Sequence, residues 1–386
     1  MKEYIKHDQG TFASLTKEQK EAVKLLSIGT FLEYFDLMLY VHMAVLLNEL
    51  LFPKTDPHTT ALLSAFAFCS TYLLRPVGAL IFGYIGDTIG HKITVIITTL
   101  LMACSCFVMA ILPTYSEKGL IATVLVMVCR IIQGLSSMGE LVGAQLYLLE
   151  ITKPPVQYPI VLMTSVSGNL GGMMALGVAT LVTSFGFNWR IAFWIGTIVA
   201  IIGATARTVL RETPEFADAK RRITRNITLI QGNANALQHN PIYNEKVNWK
   251  TIFFLLLISC GWPICFYFTY IYCGNILKTS FNFTAEQVIH QNFIVAIVNF
   301  CTYLLLTYLS YIIYPLRILK VKLIIFSIFT IICPYLLNNI TNSWHLLLIQ
   351  AFVMIFFLSA NPAMPIFLKY FPIFKRFRAA SAVFAL

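Results

Sequence analysis

Charged side chains are scarce in this chain, where Asp, Glu, Lys and Arg together make up 12% of 386 residues. Soluble domains carry about twice that share, so an ordinary water-soluble globule is excluded. Strict alternation of apolar and polar residues is also missing, which excludes an outer-membrane barrel. The nine cysteines (Cys69, Cys104, Cys106, Cys129, Cys260, Cys265, Cys273, Cys301 and Cys333) lie in or beside apolar runs and read as small apolar residues, not a disulfide frame. Apart from Cys104/Cys106, read as packing, no His or Cys pair has metal-ligand spacing. No nucleophile with a base and no phosphate loop occurs at usable spacing, so neither a metal, a cofactor nor an enzymatic reaction is expected.

Long apolar runs are abundant instead. Residues are 58% hydrophobic, and mean hydropathy is +0.75. Stretches able to cross about 30 Å of hydrocarbon, roughly 20 residues each, fall at 22–51, 59–86, 93–112, 119–150, 159–184, 189–211, 251–275, 286–314, 321–338 and 345–370, with an eleventh starting at Ala379. The expected fold is an all-α polytopic membrane protein of 10 to 11 transmembrane helices. The first apolar segment begins beyond residue 20 and is far longer than a signal-peptide core, so the first helix should act as its own insertion signal.

The formal net charge of +11 raises the question of nucleic acid, and the placement of basic residues answers it. With the N-terminus in the cytoplasm, 22 of the 28 Lys and Arg residues fall on the inner side, four (Lys54, Lys118, Arg190 and Lys278) on the outer side, and Arg75 and Arg130 inside spans. This is a positive-inside pattern. It orients the chain in the membrane with its N-terminus cytoplasmic and the lipid bilayer as partner, and no nucleic acid is expected. One hydrophilic stretch, 212–250, divides a six-span N-terminal half (1–211) from an incomplete C-terminal half (251–386). Two such halves around a basic linker are a common transporter plan.

Charge inside the spans is concentrated in two places. Glu33 and Asp36 lie in the first span, where a charge near the bilayer centre costs about 2.5–3.5 kcal/mol and survives best facing a cavity, a partner or a transport path. Three- and four-residue spacings put Glu33, Asp36 and Tyr40 on one helix face, and Arg130, Gln133, Gly134 and Ser137 on one face of the fourth span, with Glu140 nearer its edge. A carboxylate beside an arginine stays ionised and one deprived of it takes up a proton, so alternating contact with Arg130 would couple structure to protonation. Blander readings are a static Arg130–Asp36 pair, and a structural Arg75 beside Pro76. Gly168, Gly171, Gly172, Ala175 and Gly177 read as packing residues. Between Lys250 and Lys369 every charge is assigned to a loop. Aromatics are dense at Phe266–Tyr272, and with 30 Phe and 18 Tyr in the chain lipid-facing packing is the favoured reading; Tyr40, Tyr267 and Tyr270 are carried as candidates to line a cavity or meet a cationic group.

Gly83-Tyr84-Ile85-Gly86-Asp87-Thr88-Ile89-Gly90-His91-Lys92, following Arg75-Pro76-Val77-Gly78, resembles the signature loop of the major facilitator superfamily. Thr88 and His91 stand where arginines are usual, so part of that family's charge network is expected to be missing. Arg130-Ile131-Ile132-Gln133-Gly134, with Gly139-Glu140 trailing, is similar to the motif of its metabolite:proton symporters. Trp189-Arg190-Ile191 and Glu212-Thr213-Pro214-Glu215-Phe216 point further to the proline/betaine transporter branch. The resemblance implies a monomeric proton-coupled symporter importing a small zwitterion such as proline or betaine, or a small organic acid. It assigns proton coupling and substrate to Glu33, Asp36, Tyr40, Arg130, Gln133 and Glu140, and a gate to Gly83, Gly86, Asp87, Gly90 and Lys92. It also implies that Asp87 meets the start of the eleventh helix, near 378–382. The incomplete second half and its eroded counterpart loop, around Pro315–Lys320, favour a competing expectation of a degenerate, non-transporting member of the same fold.

Overall fold

The computed structural model describes residues 15–53, 66, 70–185, 188–207 and 247–385. Most of the expected linker therefore lies outside the described residues, as does Glu212–Phe216. Among the described residues there are helices and no strands: α1 (Lys17–Leu51), α2 (Arg75–Thr88), α3 (His91–Ala110), α4 (Leu120–Ile151), α5 (Gln157–Phe185), α6 (Arg190–Arg207), α7 (Trp249–Phe281), α8 (Ala285–Ile312), α9 (Pro315–Asn338), α10 (Ser343–Phe356) and α11 (Arg376–Ala385). Spans at His91–Ala110, Leu120–Ile151, Gln157–Ala179, Trp249–Phe281 and Gln287–Ile312 are long and apolar enough to cross a bilayer. Large apolar side chains such as Leu80, Ile198, Leu257 and Ile331 stand exposed on the outside of the bundle, which suits lipid.

Local sequence sets the helix limits. Gly90, at φ 135°, turns the chain between α2 and α3 in a conformation that a side chain would strain. Thr284 and Gln287 form a capping box that opens α8. Within α7, Pro263 and a π turn at Tyr267–Tyr272 interrupt the regular ladder. The tenth span, expected over 345–370, is corrected: α10 stops at Phe356 and helix resumes only at Met364–Lys369. Asn361-Pro362 and Pro365 lie in that gap and its restart, where proline removes backbone donors and pushes the preceding residue out of helical geometry.

Packing joins the elements into two connected halves. In the first, α1 lies along α5, and Gly171 brings the α5 backbone against Phe31 of α1. A Cβ at Gly171 would collide with the Phe31 carbonyl, so this approach requires glycine. The halves meet along α5–α8 and α2–α11. Where α1 and α5 begin and α2, α4 and α8 end, Lys92, Lys153, Arg317 and Arg376 define a basic face. An apolar plug of Leu26, Val95, Val142, Tyr147, Phe371 and Phe377 draws on both halves there.

Candidate functional site

The embedded residues of α1 and α4 face one another. Glu33, Asp36 and Tyr40 are all buried on α1, and Arg130 is completely buried on α4. Tyr40 presents its ring to the guanidinium, with Arg130 Cζ 3.9 Å from the ring centroid. Arg130 Nη1 donates to Gln133 Oε1 at 2.8 Å, one turn further along the same helix. From α3, Cys106 Sγ donates to Asp36 Oδ1 at 3.4 Å. Asp36 and Arg130 lie in one another's field, yet among the described residues no direct salt bridge joins them. Asp36 Oδ2, Tyr40 OH, and Arg130 Nε and Nη2 are buried with no hydrogen-bond partner. The geometry thus differs from a closed static pair: each charge keeps unused bonding atoms. Gly134 lets α4 approach the backbone at Thr71, whose hydroxyl donates to the Arg130 carbonyl at 3.3 Å. Glu140 lies on α4, and its side chain is outside the described set.

A second cluster closes the basic face. Asp87 Oδ1 accepts from the Phe377 N–H at 3.0 Å and Oδ2 from the Arg378 N–H at 3.1 Å, with Arg378 Nε 3.9 Å away. The carboxylate therefore caps the open N–H groups at the start of α11, where the helix dipole also favours negative charge. Gly86 allows the fit, because a Cβ there would collide with the Phe377 ring, and Gly83 lies against the Arg378 backbone. Beside it, Glu150 at the end of α4 accepts from Arg376 Nη1 at 3.0 Å and lies 3.0 Å from His91 Nδ1. His91, standing where an arginine is usual, thus reaches Glu150, and it offers a cation there only when protonated. Glu150 and Arg376 were not singled out from sequence, because both stand at helix ends that read as interfacial.

Three further features bear on the sequence reading. Tyr267 is 60% exposed, whereas Tyr270 packs against Phe266, with centroids 4.8 Å apart, and against a buried cluster. Successive residues of the π turn point in different directions, which separates the two. Lys322, assigned to a loop, is buried within α9. Between the halves, Asn299 Nδ2 donates to Asn169 Oδ1 at 2.8 Å, Asn361 Nδ2 to Ser165 Oγ at 3.3 Å, and Tyr303 bonds to the Asn169 and Asn361 amides. Single amides within apolar runs gave no sequence signal for that cross-half lattice. A cavity of about 1330 Å³ opens between α5, α8 and α10 near the opposite face, lined by Met173, Gly177, His290, Gln291 and Trp344 among others. None of the Asp36–Arg130 residues lines it.

The Major Facilitator Superfamily description matches residues 26–386. A proline/betaine transporter of Salmonella typhimurium (strain LT2) is 26% identical over 279 residues, covering 69% of this chain and 55% of that protein. A putative proline/betaine transporter of Staphylococcus aureus (strain COL) is 32% identical over 209 residues, covering 52% of this chain and 45% of that protein. The chain thus spans about half the length of these curated relatives. The proton:xylose symporter XylE bound to 6-bromo-6-deoxy-D-glucose superposes with a TM-score of 0.73 at 15% identity, over 95% of this chain and 85% of that one. Against the inward open conformation of XylE from E. coli the score is 0.58 at 17% identity, over 95% and 88% of the two chains. With signature loop, fold and a match over nearly the whole length in agreement, this multi-pass membrane chain belongs to the major facilitator superfamily, a family of transporters.

Proposed function

We propose that this chain is a proton-coupled symporter for a small zwitterion such as proline or betaine, or for a small organic acid. It would lie in the cytoplasmic membrane as a monomer, with its N-terminus and basic face inside and its halves, 1–211 and 251–386, joined by the 212–250 segment. The observation that carries the reading is the burial of Asp36 and Arg130 side by side without a salt bridge, each holding unused hydrogen-bonding atoms. A substrate carboxylate fits the free Nε and Nη2 edge of Arg130, because a guanidinium presents donors in a planar fork. Once Arg130 is engaged by that carboxylate, Asp36 shares its cation with a second anion and takes up a proton. Substrate binding and protonation then favour one another, which is what symport requires. Tyr40 positions the guanidinium through its ring face, and Gln133 holds its other edge.

The names of the relatives support a zwitterionic substrate, and the proton:xylose symporter supports proton coupling on this fold. The Asp87 contacts and the plug beside them support closure at the basic face, leaving the large cavity toward the outside. Uptake into proteoliposomes of labelled proline, betaine and 2-oxoglutarate, compared with and without an imposed pH gradient, tests the proposal. The gradient should accelerate uptake of at least one; uptake of all three indifferent to the gradient would overturn it.

A further inference from the structure

Lys322 on α9 is a buried charge that the Asp36–Arg130 site does not use. It is 4% exposed, and its ammonium lies 4.8 Å from the centroid of the Phe357 ring. Among the described residues the Nζ has no hydrogen-bond partner and no carboxylate within salt-bridge range. A ring face supplies part of what water gave the ammonium, but it leaves three N–H donors without acceptors. Lysine in such a place is unfinished recognition chemistry.

Its surroundings are aromatic and lie at a break in a helix. Phe357 stands where α10 leaves the helix, and secondary transporters build solute and ion sites at discontinuous helices. Trp262 packs against Phe357 at 5.3 Å between centroids, and Cys265 belongs to the same buried cluster. Aromatic walls with one ammonium suit a small organic carboxylate, its body against the rings and its charge on the lysine. Position also matters. Lys322 is the eighth residue of α9, so it lies about 10 Å from the helix start at the basic face. Arg130 is the eleventh residue of α4 counted from the opposite face, about 15 Å from that end. The two cations therefore stand at different depths and in different halves.

We infer that Lys322 is a second carboxylate-recognition residue, a subsite on the basic-face side of the pathway that receives the solute's carboxylate after Arg130. The assignment rests on the transport reading above. In that sequence Arg130 meets the carboxylate from the outside, and Lys322 meets it once the basic face opens and α10 separates from α9.

The test uses the full chain in nanodiscs and equilibrium binding of three probes: succinate, glycine betaine and choline, the last lacking a carboxylate. Wild type should bind the first two and not choline. In an Arg130→Lys background, residual carboxylate binding should fall at least tenfold on adding Lys322→Met and recover in part with Lys322→Arg. Should the Met variant fail to fold, Lys322→Gln carries the same comparison. Unchanged carboxylate binding when Lys322 is replaced, in both the native and Arg130→Lys backgrounds, would overturn the assignment, as would choline binding that competes with succinate. Carboxylate binding that needs Lys322 while uptake ignores the pH gradient would sink the symport reading alone and support the subsite.

Discussion

Arg130 and Asp36 show how much a single residue can be asked to do. Their positions were legible because three- and four-residue spacing fixes which side chains share a helix face, and both faces proved buried as that spacing implies. Spacing could not show that the two charges stop short of a salt bridge, because that depends on how Tyr40, Gln133 and Cys106 hold them from three helices. Arg130→Lys keeps the charge and loses the fork; with about 1.5–3 kcal/mol at stake per charged hydrogen bond, uptake should drop roughly 10- to 100-fold while membrane insertion is unchanged. Measured uptake near wild type, with equal protein in the membrane, would contradict the role given to the guanidinium. Asp36→Asn removes the titratable proton and keeps the shape, so its residual uptake should no longer respond to the pH gradient. Acceleration of that variant by external acid would move the proton to another carboxyl, Glu33 being next on the same face.

At the scale of elements, the close approach of α5 to α1 depends on Gly171, and the sequence signalled it through its run of small residues. Gly171→Val should destabilise the bundle by about 1–3 kcal/mol through overpacking against the Phe31 backbone, whereas Gly177→Ala, with nothing within 4 Å of the added methyl group, should be nearly neutral. Thermal unfolding in detergent of the two variants compares them directly, and equal loss at both positions would mean that the α1–α5 contact is looser than described. The break after Phe356 is hidden from hydropathy because its residues are mostly apolar, so the apolar run continues where Asn361-Pro362 and Pro365 argue for an interruption. Lys322 is hidden by its neighbours. A basic residue close to Arg317 and Lys320 reads as part of a loop, yet α9 already begins at Pro315, and the helix carries Lys322 inward. The Asn169–Asn299 pair was invisible for a different reason, since its partners are 130 positions apart and each amide alone resembles an isolated polar residue.

Across the whole molecule, the two halves are held at the basic face by two carboxylates with different dependence on pH. Asp87 binds backbone N–H groups of α11, a contact expected from the family resemblance and from the open N–H groups at a helix start. Asp87→Ala removes both bonds, so the closed arrangement should lose population and a cysteine placed at Ser381, buried in the closed form, should react faster with a membrane-impermeant thiol reagent added at the basic face. Glu150 instead faces Arg376, always charged, and His91, charged only when protonated. Asp87, itself beside Arg378, also lies within the field of that imidazole, Lys92 follows it in sequence, and the Phe377 ring packs on it at 5.4 Å. The sign follows directly. Protonated His91 attracts Glu150 and tightens the closure; as pH on the basic side rises and the imidazole loses its proton, that attraction disappears while the Arg376 bond remains. Closure should therefore weaken, without being abolished, as pH rises. His91→Arg would restore a permanent charge and His91→Gln a permanent absence of one, so both variants should show reactivity at position 381 with a weaker pH dependence than the native chain, low for arginine and high for glutamine, the remainder coming from Asp87, whose carboxyl pKa burial raises to about 7. A pH dependence undiminished in both would place the sensing group outside the His91–Glu150–Arg376 cluster.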